Sequence, residues 1–339
     1  MERITMNTKE TILAGICGTV VGDALGVPVE FTGREERRRD PVTDMREYGT
    51  HSQPKGTWSD DSSMMLATMD SMISGGKIDY ADIMEKFRRW RMYADYTPYG
   101  NVFDIGITCS RAISQYRPGS DPLKCGGMGE RDNGNGSLMR IMPVSLYYAI
   151  RPDYWDDSVF CEAVKAIQNV SCLTHAHPRS LIACVLYTSV CHELIFREGK
   201  CVEEAVSLAL EKTLRFYDVN RDSLAQQNQD FPEEIKKDTY YRLRDITGFA
   251  SLAESQIQSG GYVVHTLEAS IWCLLNSSSF SECVLKAVNL GDDTDTTGAV
   301  AGGLAGLLYG FDGIPKYWWS VIAKKEWIEE KCEAFSGIF

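Results

Sequence analysis

The sequence predicts an all-α protein, a compact single-domain orthogonal helical bundle. Two observations carry this. Alternating Val/Ile/Thr/Tyr runs of the strand type are almost absent, and apolar residues recur at helical spacing. No internal repeat and no linker composition divides the 339 residues, a length that one large domain accommodates. The spacing places helices at roughly 8–24, 61–74, 79–95, 101–116, 136–150, 156–172, 177–197, 201–217, 233–245, 265–276, 279–290, 294–309 and 317–334. Asn7 or Thr8 can cap the first, Asp79 the third and Ser279 the eleventh. Pro28 and Gly199 follow the first and seventh as stop signals.

Between these elements lie three irregular stretches: 25–60, 124–137 and 257–264. Long ordered loops inside compact domains are often functional. The run EERRR within 25–60 reads as a solvated loop face, and the polar segment 218–240 as a surface insertion of the domain 1–339.

Composition narrows the function. The chain is 44% hydrophobic and 24% charged, which is neither disordered nor low in complexity. A net charge of −12 argues against nucleic acid and anionic membrane, which both favour a basic surface. It leaves room for an anionic small ligand held by backbone donors. The start MERITMNTKE is polar and does not read as a signal peptide, and the next apolar run carries Asp23 and is too short for a bilayer. Eleven cysteines without a CxxC pair read as reduced core thiols of a cytoplasmic protein.

The densest acidic cluster, Asp292, Asp293 and Asp295, stands at the mouth of the apolar helix AVAGGLAGLLYG with no Lys or Arg between its members. One Asp suffices to cap a helix. Three carboxylates so close repel unless a cation screens them. Carboxylate and hydroxyl oxygens of Asp293, Asp295 and Thr296 suit Mg²⁺, Mn²⁺ or Ca²⁺ rather than zinc. Ser59, Asp60 and Asp61 repeat the pattern before a second apolar helix. Capping is the alternative for each stretch; it suits the second taken alone, while three carboxylates exceed what a cap needs at the first. If the two helices converge, they make one oxygen-rich site able to hold two ions at roughly 3.5–4 Å.

Glycines 18, 22 and 26 sit four apart and give one helix a smooth face for close packing. Glu30, just beyond, is either a surface residue or an acid/base group kept from water. In RDNGNGSLMRIMP the glycines free the backbone and Ser137 is expected to open a helix whose amides suit phosphate. His175 and His177 read as a helix-start turn before Pro178; metal ligation with Cys172 and phosphate contact are the alternatives.

Taken together, GDALGVPVEF, TWSDDS, GNGSLMRIMP, THAHP, SGGYVVHTLEASIW and NLGDDTDTTGAVAGGLAGLLYG resemble the ADP-ribosylglycohydrolase family. The likeness extends to the dinitrogenase reductase-activating glycohydrolase and the ADP-ribosylarginine and ADP-ribosylserine hydrolases. The motifs keep the family's order from residue 18 to 310, and the GDDTDT form resembles bacterial members. The resemblance implies an all-α fold with a di-metal cleft at helix N-termini holding two divalent cations, Mg²⁺ or Mn²⁺. It makes Ser59, Asp60 and Asp61 one ligand group and Asp293, Asp295 and Thr296 the other, with Ser59 standing where the family often has Thr. It makes Glu30 the acid/base group, with Asp61 and Asp293 the further catalytic carboxylates. Asn135, Gly136 and Ser137 would hold phosphates and ribose, His175 would line the cleft, and Gly261 and Tyr262 would form the substrate loop. Asp292 would be a cap or a supporting group. The implied activity releases ADP-ribose from an ADP-ribosylated protein side chain, arginine first, by a monomer, with loop 25–60 as a lid. A serine or other O-linked substrate, or a binding-only relative, is the alternative.

Overall fold

In this computed structural model, residues 7–224 and 230–339 are described. Their elements run α1 (Thr8–Gly26), α2 (Arg34–Arg39), α3 (Asp60–Gly75), α4 (Tyr80–Tyr93), α5 (Ile107–Gln115), α6 (Met142–Ala149), α7 (Asp157–Cys172) and α8 (Pro178–Ile195). They continue with α9 (Val202–Leu224), α10 (Phe231–Lys237), α11 (Ile246–Ala250), α12 (Val263–Leu275), α13 (Phe280–Asn289), α14 (Thr294–Tyr309), α15 (Lys316–Val321) and α16 (Lys325–Ser336). Among the described residues extended pairing is limited to isolated bridges, so the all-α expectation is met. Asn7, Asp79 and Ser279 cap α1, α4 and α13 with their side chains, as the sequence indicated.

The centre of the fold is the pair α1 and α14, whose backbones touch. A methyl group at Gly22 would overlap the Gly298 carbonyl, and one at Gly26 would overlap the backbone of Thr294 and Asp295. No side chain stands between the helices there, so the end of α1 lies directly on the acidic turn. Thr294 Oγ1 donates to the Gly26 carbonyl at 2.8 Å and fixes that junction. The apolar segment Thr8–Val29 is long enough by count to cross a membrane, contrary to the sequence reading, but 94% of its apolar window is buried inside the protein. One contiguous cluster of buried apolar side chains runs from Ile12 to Phe335. All eleven cysteines are free, and Cys161 and Cys201 are the exposed ones.

Several element boundaries differ from expectation. The helix expected over 136–150 begins only at Met142. Pro143 falls in its first turn, where a residue without an N–H belongs, and residues 136–141 make separate turns instead. The helix expected over 101–116 starts at Ile107. The helix expected over 317–334 is split by Lys324 at φ 50°, and there Ala323 N–H donates to the Gly56 carbonyl at 3.0 Å.

The segment 25–60 is not a free flap. Arg34 donates to the carbonyls of Leu290, Glu254 and Ile257 at 2.9, 2.6 and 2.5 Å. Asn289 exchanges two hydrogen bonds with the Val42 backbone. EERRR forms most of α2 and buries Arg37, which donates to the Asp40 carbonyl. Within the expected insertion 218–240, residues 218–224 extend α9 and Leu224, Phe231, Glu234 and Tyr240 are buried, while Val219, Asp222, Glu233 and Lys236 are exposed. Residues 225–229 of that segment lie outside the described residues.

Candidate active site

Each acidic turn must first be tested against capping. At α3 the cap is Ser59, whose Oγ accepts from Asp61 N–H at 3.3 Å; the carboxylates of Asp60 and Asp61 are not used for it. At α14 Asp293 holds the cap position, yet its side chain makes no capping hydrogen bond. Asp292, expected as a cap or supporting group, has an exposed side chain and is not the cap. Capping therefore leaves Asp60, Asp61 and Asp293 unexplained.

The two turns converge. Thr296 Oγ1 donates to Asp61 Oδ1 at 3.2 Å, joining α14 to α3. Glu30, Asp293 and Asp295 each bring one carboxylate oxygen within 4.8 Å of the others. Asp61 Oδ2 and Asp293 Oδ1 are buried without a hydrogen-bond partner. Among the described residues no lysine or arginine donates to Asp23, Glu30, Asp60, Asp61, Asp293 or Asp295. Burial, then mutual repulsion, pushes the carboxyls of Asp60, Asp61 and Asp295 well above the usual range. Burial also raises Asp293, against its hydrogen bond from Asn135. Buried, unpaired hard oxygen donors in one place fit divalent cations, which would satisfy the orphaned atoms and remove the repulsion.

Behind this cradle stands Asp23, which the sequence reading passed over as a blemish in an apolar helix. It accepts from Ser59 N–H (2.9 and 3.1 Å), Ser62 N–H (3.0 Å) and Ser62 Oγ (2.6 Å), and so fixes the start of α3 on α1. Burial lifts its carboxyl to about 6 despite those donors.

Glu30 is buried, not a surface residue. Its Oε2 meets His51 Nε2 at 2.5 Å. Burial raises its carboxyl to about 7; the His51 contact opposes this, while Asp104 and Asp293 add to it. The Glu30 contact raises His51 in turn. His51 and Asp104 were not singled out in the sequence, because both lie in loops without a periodic signal.

On the other side of the cradle, Asn135 Nδ2 donates to Asp293 Oδ2 and to Thr266 Oγ1, both at 2.9 Å. The segment 133–135 pairs with 261–263 through Asn135 N–H to the Gly261 carbonyl (3.1 Å) and Val263 N–H to the Asn133 carbonyl (3.0 Å). Asn135, Gly136, Gly261 and Tyr262 are thus brought beside the acidic turn. Ser137 is not as expected: it opens no helix, is fully buried, and its Oγ accepts from Ser171 Oγ at 2.8 Å.

His175 lies under the Gly134–Gly136 turn, its ring edge against both glycines. Arg140 can only donate, and its Nη2 donates to Thr174 Oγ1 at 2.8 Å. The threonine hydroxyl also lies 2.9 Å from His175 Nδ1, and the two share a hydrogen bond that fixes the ring under the glycine turn. Burial, with Arg140 nearby, drives His175 down to about 3, so the ring is neutral. His177 caps α8 through Nδ1, accepting from Arg179 N–H at 3.3 Å, which is the helix-start reading. Arg179 then links Glu130 (2.7 Å), Glu234 (2.7 Å) and the Tyr262 hydroxyl (3.2 Å), a support for the Tyr262 loop invisible in the sequence.

Comparison with known proteins covers nearly the whole chain. The family model for ADP-ribosylglycohydrolase matches residues 5–338. The ADP-ribosyl-[dinitrogen reductase] glycohydrolase of Rhodospirillum rubrum is 32% identical over 330 residues, covering 94% of this chain and 92% of that protein. The ADP-ribosylarginine hydrolase Tri1 of Pseudomonas putida (strain GB-1) is 30% identical over 322 residues, covering 93% of this chain and 75% of that protein. A solved structure described as an ADP-ribosylglycohydrolase-related protein complex superposes with a TM-score of 0.70 at 28% identity, covering 98% of both chains. With the match spanning nearly every residue from α1 to α16, the chain belongs to the ADP-ribosylglycohydrolase family.

Proposed function

We propose that this protein hydrolyses the glycosidic bond between ADP-ribose and a protein side chain, with arginine as the linkage. The observation that carries the reading is the Asp61–Thr296 contact, which makes one cradle of two acidic turns with orphaned carboxylate oxygens. Family membership and the names of the relatives support it. Ser59, Asp60, Asp61, Asp293, Asp295 and Thr296 would hold two divalent cations, Mg²⁺ or Mn²⁺. Bound there, such ions would supply Lewis acidity for the hydrolysis and would neutralise the cradle.

The chain's own residues supply the rest. Asn135, tied to Asp293, and the Tyr262 loop place the distal ribose over the cradle. The open backbone around Gly136 offers amide donors without a fixed positive charge, which suits an anion on a protein of net charge −12. The water oxygen bonds to the anomeric carbon as the carbon–nitrogen bond breaks. A water proton passes to a Glu30 carboxylate oxygen, and the departing guanidine nitrogen takes up a proton. Glu30 is out of water and paired with His51, which suits a group that exchanges protons. The transition state carries oxocarbenium character, which the neighbouring carboxylates favour.

The test is release of free ADP-ribose from an arginine-ADP-ribosylated protein with Mg²⁺, with Mn²⁺ and with EDTA, beside Asp293→Ala. Metal-dependent release lost in the variant supports the reading. Release unaffected by EDTA would remove the metals from it, and neither release nor ADP-ribose binding would remove the function.

A further inference from the structure

The side of Glu30 that faces away from the cradle is built for a second purpose. His51, held on Glu30 Oε2 at 2.5 Å, lies between two phenyl rings. Phe31 meets it edge-on at 5.9 Å between centroids and Phe103 at 5.2 Å. Asp104 brings another carboxylate oxygen within 4.8 Å of Glu30 and His51. Phe31 leaves 68% of its surface in solvent, although its backbone stands at φ 64°. A bulky residue at positive φ is held there by its surroundings, and such positions gather at functional sites.

Contacts link the parts in sequence: Asn135 to Asp293, Asp293 to Glu30, Glu30 to His51, and His51 to Phe31 and Phe103. A substrate with its ribose over Asp293 and its scissile bond beside Glu30 projects the modified side chain into the aromatic end. Glu30 Oε2 is already paired with His51, and the exposed Phe31 ring and the Asp104 carboxylate beside that pair offer a π face and negative charge to one group. A guanidinium is planar, cationic and stacks on rings. A serine linkage presents neither plane nor charge.

We propose that Phe31 and Phe103, beside Glu30 and Asp104, form the leaving-group rim and select an arginine-linked substrate over a serine-linked one. This inference rests on the hydrolase reading above.

The experiment compares the metal-loaded full chain with Phe31→Leu, Phe103→Leu and the double variant on two peptides. One carries ADP-ribosyl-arginine and the other ADP-ribosyl-serine. Leucine keeps apolar bulk and removes the ring face, and inhibition by free ADP-ribose reports whether the other half of the site is intact. The ratio of kcat/KM for arginine over serine should fall by about 3- to 30-fold in the double variant, the range of one cation–π contact. Where the serine peptide is not turned over, the arginine KM should rise by the same factor. Inhibition by ADP-ribose should stay at the wild-type level. An equal fall on both peptides, an unchanged arginine KM, or a wild type that prefers serine each overturns the rim. A wild type that releases ADP-ribose from neither peptide overturns the hydrolase reading with it, which separates the two failures.

Discussion

Phe31 and Asp292 stand back to back in the left-handed backbone region, at φ 64° and 62°. Phe31 N–H donates to the Asp292 carbonyl at 2.7 Å, and Asp292 N–H donates to the Thr32 carbonyl at 2.8 Å. This short ladder ties the turn carrying Glu30 to the turn carrying Asp293. Residues with a Cβ are disfavoured in that region by roughly 1–2 kcal/mol each, and such outliers gather at functional sites.

Asp292→Gly tests whether this residue serves through its backbone. Relief of the left-handed conformation, less the added entropy of an unfolded glycine, should stabilise the protein by about 0.5–1 kcal/mol. Urea unfolding measures it. A loss of stability would instead assign the turn to the exposed carboxylate.

Asp61→Asn removes a charge whose Oδ2 has no partner. Without added metal the variant should unfold at a higher temperature than the wild type, because a buried unpaired charge is destabilising by several kcal/mol. With Mn²⁺ the order should reverse, since only the wild type gains binding energy in its native state. Scanning calorimetry with and without Mn²⁺ decides this; a variant that gains as much from the ion as the wild type would take Asp61 out of the cradle.

Gly22→Ala pushes a methyl group into the Gly298 carbonyl across the α1–α14 contact. Overpacking of this kind usually costs about 1–3 kcal/mol, and here the obstacle is backbone, which cannot rotate away. We expect a loss at the upper end of that range in denaturant titration, with weakened metal binding because α14 carries Asp295. Gly33→Ala, which meets nothing within 4 Å, is the control.

His175 gives a pH signature. Its native pKa of about 3 lies below the unfolded value of 6.5, so the unfolded chain binds the proton first as pH falls. The stability this group contributes is present above pH 6.5 and is lost progressively below it, by about 1.4 kcal/mol per pH unit until the native pKa is reached. His175→Asn should flatten that part of the stability–pH curve. Thr174→Val removes the hydroxyl 2.9 Å from Nδ1, which should change the imidazole ¹⁵N shifts, and Thr174→Ser should restore them.

How much of this was legible beforehand differs from element to element. The glycines at 18, 22 and 26 announced a close helix contact, because only backbone-to-backbone packing requires that spacing. The acidic turns were conspicuous since neighbouring like charges are rare without a purpose. Pro143 was present as a helix start and was overlooked inside a longer apolar run. Asp23, His51 and Asp104 carried no local signal: each is one ordinary residue, and its role comes from what stands across the cleft.

The sequence by itself determined the helical class, the glycine seam and the identity of the acidic ligand candidates, because these follow from periodicity, side-chain size and local charge. Only the tertiary structure decided that Ser137 turns inward and that Glu30 is out of water against His51. It alone put the Thr174 hydroxyl against His175 Nδ1 and a pair of phenyl rings against His51. Burial, repulsion and hydrogen-bond direction are properties of residues far apart in the chain, and they exist only once the helices are packed.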